Sequence, residues 1–147
     1  MSTQMVVFTL STETFAVEVS AVEAIIKLQA ITKVPHAPTH VVGVTNLRGN
    51  IVPVIDLKKR LSLPITESTN DTRIIVAIMQ DSKIGMVVDS VSQVVEIDDA
   101  QIEQTPQMST SIDSSYIRGI VKIENLLVIM LDLEKVFSEE KMKLQNG

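Results

Sequence analysis

The sequence predicts an all-β fold: two small antiparallel barrels, each of about five short strands, packed against one another. Three observations carry that expectation. The chain repeats itself, its apolar residues fall in short β-rich runs broken by polar turns, and no long segment of helical period separates those runs. The missing helices argue against a parallel βαβ sheet.

The repeat has two blocks. "VVFTLSTETFAVEVSAVEAII" (6–26) lies over "IVAIMQDSKIGMVVDSVSQVV" (75–95) without a gap, with Phe15 on Ile84, Val17 on Met86 and Val22 on Val91. "VGVTNLRGNIVPVIDLKKRL" (42–61) lies over "RGIVKIENLLVIMLDLEKVF" (118–137), where Gly43 meets Gly119, Asp56 meets Asp132 and Leu57 meets Leu133. The offset is 69 residues in the first block and 76 in the second, so the second half carries an insertion of seven. The Ser-rich stretch "MSTSIDSS" (108–115) suits that insertion.

Each half resolves into elements in order. Residues 5–10 and 14–19 are β-rich runs around a polar turn at 11–13, a hairpin signal. Residues 20–24 suit one helical turn, followed by an extended piece through Ile31. Residues 41–47 and 51–56 form a second hairpin, and the second half mirrors the set with 73–79, 83–89, 93–97, 117–123 and 126–132. Short helical caps are expected at 57–61 and 133–143. Strands as continuously apolar as "LLVIML" need cover on both faces and no free edge, hence closed barrels over a shared core. The polar, Pro-interrupted stretch 61–73 is the expected passage between barrels, giving subdomains 1–68 and 69–147. The N-terminal strand either joins the first barrel or crosses to the second.

Composition bounds the function. At 147 residues and 45% apolar content the chain supports one globular unit with an aliphatic core, since aromatic residues make up only 3%. A net charge of −5 gives no overall attraction to nucleic acid or an anionic membrane. The absence of cysteine excludes disulfides, thiolate metal sites and a cysteine nucleophile. The first residues lack a signal-peptide pattern, and the longest apolar run, 126–131, is far too short to span a bilayer. A soluble, cytoplasmic protein without membrane insertion is expected.

No motif assembles into an active site, and no cofactor is expected. His36 and His40 are four apart in "PHAPTH", but Pro35 and Pro38 disfavour a helix and a metal needs a third ligand. A small metal-dependent hydrolase on these histidines is the weak alternative from another class. Asp98-Asp99 reads as a cap for the segment that follows. The five glycines are scattered, with no phosphate loop and no Gly-x-Ser-x-Gly elbow. In the repeat, Arg48-Gly49 falls on Glu124-Asn125. Gly and Asn tolerate positive φ, so turn geometry accounts for Gly49. Arg48 has no such account, which leaves a solvated turn charge or a partner contact, with Asn46 beside it. Pro53 within a strand places this hairpin at an exposed margin.

The stretch "GVTNLRGNIVPVIDLKKRL", with "FAVEVSAVEAII", "RIIVAI…KIGMVVDSVSQVVEI" and "YIRGIVKIENLLVIMLDLEKVF", resembles the CheW-like domains of bacterial chemotaxis coupling proteins over residues 4–140. The resemblance implies two SH3-like five-stranded barrels and a non-enzymatic adaptor. Such an adaptor joins the cytoplasmic tips of methyl-accepting chemoreceptors to the CheW-like regulatory domain of the histidine kinase CheA. An adaptor of a pilus- or gliding-type chemosensory pathway would look the same. Matching positions tied to partner binding are Val22, Gly43, Arg48 and Gly49. Many relatives carry an acidic residue where this chain has Ala24; Glu23 lies one place off and would face the other side of a strand.

Overall fold

A computed structural model describes residues 1–79, 82–103 and 114–137. In chain order the strands are β1 (Ser2–Leu10), β2 (Glu13–Glu18), β3 (Val22–Lys27), β4 (Val41–Leu47), β5 (Asn50–Asp56), β6 (Arg73–Met79), β7 (Ser82–Val88), β8 (Ser90–Asp98), β9 (Ile117–Ile123) and β10 (Leu126–Leu131). Two short helices, α1 (Leu57–Arg60) and α2 (Leu133–Val136), each follow the last strand of a repeat. The expected insertion at 108–115 falls largely outside the described residues, as does the helical stretch beyond 137.

The strands form two five-stranded sheets, ordered β8-β1-β2-β10-β9 and β3-β6-β7-β5-β4. Exchanging each strand for the one five places along the chain converts one order into the other, so the repeat seen in the residues is a repeat of topology. An isolated bridge closes each sheet. Thr32, beyond edge strand β3, exchanges two 2.8 Å hydrogen bonds with Val44 of the opposite edge strand β4. Glu103, beyond β8, does the same with Ile120 of β9 at 2.8 and 2.9 Å. Each closure is a single bridge made beyond the edge strand, and β3 and β8 themselves keep one strand neighbour each in the sheet order.

The division at 68/69 does not follow the sheets. The two repeats exchange their first hairpins: β1 and β2 sit with β8, β9 and β10, while β6 and β7 sit with β3, β4 and β5. The cause is the length of the crossovers. Asp89 alone separates β7 from β8, too few residues for even a two-residue hairpin loop, so the chain runs forward into the other sheet. A single 3-10 turn, Val19–Ala21, does the same between β2 and β3.

Alternating residues of one strand serve two cores, which is why the runs are apolar throughout. In β1, Met5 and Val7 point into their own barrel with Ala16, Val128 and Met130, while Val6, Phe8 and Leu10 face the other barrel. In β6, Ile74 and Val76 point inward with Val52, while Ile75, Ala77 and Met79 face outward to the same shared core. That shared core holds Phe8, Phe15 and Phe137, all fully buried, with the first two rings stacked at 6.1 Å. Each such ring contributes about 1.5–3 kcal/mol by leaving water. The repeated Asp-Leu pair is a helix start. Asp56 accepts hydrogen bonds from the N–H groups of Lys58 and Lys59, and Asp132 from that of Lys135, while Leu57 and Leu133 enter the shared core.

Candidate partner-binding surface

The β4–β5 hairpin ends in a two-residue loop, Arg48-Gly49, closed by the pair Leu47↔Asn50. Both loop residues have positive φ, +52° and +84°, the pattern of a type I′ turn whose twist matches the flanking strands. Asn46 holds the tip: its Oδ1 accepts from Gly49 N at 3.0 Å. Gln29 braces the strand below, donating to Thr45 Oγ1 at 2.8 Å and to the Asn46 carbonyl at 3.0 Å. The buried Thr45 hydroxyl in turn donates to the Ala30 carbonyl at 2.9 Å. Arg48 stands exposed on this fixed base, and no described residue bonds its guanidinium. Ile51, 66% exposed, adjoins it. The surface is thus a cationic tip on a hydrogen-bonded turn beside an apolar side chain.

β5 is an interior strand, flanked by β4 and β7, rather than a margin of the sheet. Proline is accommodated because the parallel pairing with β7 begins only at Val54↔Gly85, so no ladder bond calls for an N–H from Pro53. The hairpin therefore projects past the sheet, and its exposure comes from overhang.

The remaining expected positions lie elsewhere. Gly43 is buried at the seam where the barrel closes: a Cβ there would stand 2.1 Å from the Thr32 carbonyl oxygen. Val22 is half-buried against the shared core. A bulge between Val22 and Ala24 turns Ala24 into the interior of its barrel, while Glu23 faces outward and pairs with Lys83 at 3.0 Å. The tip thus gathers Asn46, Arg48 and Gly49, and leaves Val22 and Gly43 apart from it.

Two grooves were not foreseen. One, of about 180 Å³, runs along the junction of the barrels, with Val17, Ala21, Ile78 and Leu133 in its walls and the Arg118–Glu18 ion pair at its edge. The other, of about 530 Å³, lies between residues 28–42 and α1, lined by Leu28, Ile31 and Val41 with Lys33 and Lys59. Their walls combine strand, turn and helix residues, so the periodicity of any one strand does not reveal them. In the walls of the first groove Ile78 is 38% exposed.

His36 is exposed with φ +61°, and among the described residues no three His, Asp or Glu side chains are grouped to hold a metal. The hydrolase alternative gains no support. Asp98 is a cap: it accepts from Ala100 N at 3.0 Å and forms a capping box with Gln101. No described helix is long and apolar enough to cross a membrane.

Fold and surface together define a double-barrel, all-β domain whose projecting features are a hairpin tip and grooves. The chain belongs to the CheW-like domain family, which it matches over residues 4–141. It is 38% identical over 137 residues to the chemotaxis protein CheW of Bacillus subtilis (strain 168), covering 93% of this chain and 88% of that protein. It is 33% identical over 138 residues to CheW of Rhizobium meliloti (strain 1021), covering 94% and 89%. The crystal structure of the scaffolding protein TtCheW from Thermoanaerobacter tengcongensis superposes with a TM-score of 0.86 at 37% identity, covering 93% of this chain and 88% of that one. The two-sheet architecture is that of this family.

Proposed function

We propose that this protein is a cytoplasmic chemotaxis adaptor that couples chemoreceptor tips to the histidine kinase CheA. The observation that carries the reading is the Arg48 tip. Its backbone is fixed by Asn46 and Gln29, yet its guanidinium serves no described residue of the fold. An exposed cation on a fixed turn, in a chain of this family, is best used by a partner. The proteins named CheW among its relatives support the chemotaxis assignment. The adaptor would work by tethering and orientation, with several modest interfaces combining by avidity. Arg48, Asn46 and Gly49 are its contact residues at the tip. Val22 contributes at the barrel junction, and Gly43 acts indirectly by setting the strand beneath.

Titration of Arg48→Glu against a CheA regulatory-domain fragment and a receptor cytoplasmic-tip fragment tests this. Affinity for at least one should fall about tenfold or more, with a thermal melt shifted by no more than a surface charge warrants, about 0.5 kcal/mol. Unchanged affinity for both removes Arg48 from the interface.

A further inference from the structure

We infer that α1 is an inter-barrel brace, and that Lys58 within it, clasped to Asp89, fixes the angle at which the two barrels meet. Asp89 is the single residue joining β7 of one barrel to β8 of the other, so it is the shortest hinge between them. Its carboxylate is bound from both sides. Oδ2 accepts from the backbone N–H of Ser11, in the β1–β2 turn of one barrel, at 2.6 Å. Oδ1 accepts from Nζ of Lys58, in α1 on the other barrel, at 2.5 Å. Lys58 is only 3% exposed, and Nζ also donates to the hydroxyl of Thr66 and, at 3.2 Å, to its carbonyl. All three ammonium donors are thereby used, and the strap from 61 to 72 is tied to the same point. Arg60, at the end of α1, adds a second contact, its guanidinium 5.1 Å from the centroid of Tyr116, which precedes β9.

The shared core cannot set this angle alone. It is almost wholly aliphatic, and such contacts are strong but non-directional. An ion pair with a buried cation and a carboxylate 22% exposed is the reverse: it adds little net stability over an apolar pair of the same size, but it favours one geometry. Lys58 and Asp89 thus specify orientation where the aliphatic faces supply adhesion. The inference concerns the free protein and is independent of any partner.

The chain has no cysteine, so a spin label can be placed once on each barrel, at Lys27→Cys on β3 and Gln93→Cys on β8, both exposed. Pulsed electron–electron resonance then reads the inter-barrel distance distribution with and without Lys58→Met/Asp89→Asn. That pair removes both charges, leaves no lone ion buried, and keeps an acceptor for Ser11. The expected result is a melting temperature close to the parent's with a distribution about twofold broader. A distribution of unchanged width and mean overturns the inference. Should the double variant unfold, Lys58→Arg is measured instead: a cation retained at altered length should shift the mean distance, and an unshifted mean also overturns it.

Discussion

The two repeat-related hairpin tips share a backbone and little else. Arg48-Gly49 has φ of +52° and +84°, and Glu124-Asn125 has +46° and +69°. Both loops are closed by a single pair, Leu47↔Asn50 and Ile123↔Leu126. Both also stand five residues beyond a buried glycine at the barrel seam, Gly43 or Gly119. The turn and the glycine are therefore requirements of the fold, met twice. Arginine against glutamate is not such a requirement. Comparing repeats inside one chain separates what geometry demands from what it leaves free, and it assigns Gly43 to the first group and Arg48 to the second.

The seam offers the hardest test of that division. Gly43→Ala should be the most damaging change, by about 3 kcal/mol or more, because its Cβ would collide with a backbone carbonyl that forms the closing bridge. Chemical denaturation measures it, and a loss below 1 kcal/mol would show the seam to be slack. Gly119→Ala should cost less, about 1–2 kcal/mol. Its closest neighbour is a methyl of Ile102 at 2.6 Å, which can rotate away, with the Glu103 carbonyl oxygen at 3.0 Å. Equal losses at the two glycines would mean that the two closures are energetically alike despite these contacts. The smallest effect belongs to the tip. Gly49→Ala meets no neighbour within 4 Å, so only the positive φ opposes it, by about 1 kcal/mol. Gly49→Asn, which copies the other tip, should stay within about 0.5 kcal/mol. A larger loss for Asn than for Ala would break the equivalence of the turns.

Much of the fold was written in local patterns. Strand runs and the polar turns between them depend on neighbours a few residues apart and lie within a few residues of the pattern, although β1 and β8 run longer and the turn expected at 20–24 is a 3-10 turn at Val19–Ala21. The exchange of first hairpins was not legible. It follows from a crossover of one residue at Asp89, and a strand that continues looks the same in sequence as one that bends into another sheet. The overhang of the β4–β5 hairpin was half legible: Pro53 announced a missing ladder bond, but whether an edge or an unpaired end supplies it depends on where β7 stops. At the surface, Arg48 stood out because the repeat left it unexplained. The grooves did not, since Val17, Ile78 and Leu133 meet only after two strands and a helix have been placed. Gly43 carried a signal that sequence alone could not divide between contact and closure; the 2.1 Å approach to Thr32 identifies closure.

The exchanged hairpins also impose an order in time. β1 pairs with β8 from Ser2↔Asp98 to Thr9↔Ser90, so its partner is made only after some eighty further residues have been synthesised. At about 5–20 residues per second that is a wait of roughly 4–16 s. By then the strands of the other barrel, β3 to β7 within 22–88, have all been synthesised. The N-terminal hairpin, with Val6, Phe8, Phe15 and Val17 on one face, meanwhile lacks the two later strands it pairs with, β8 and β10. The first-made strands thus wait longest for their sheet partners.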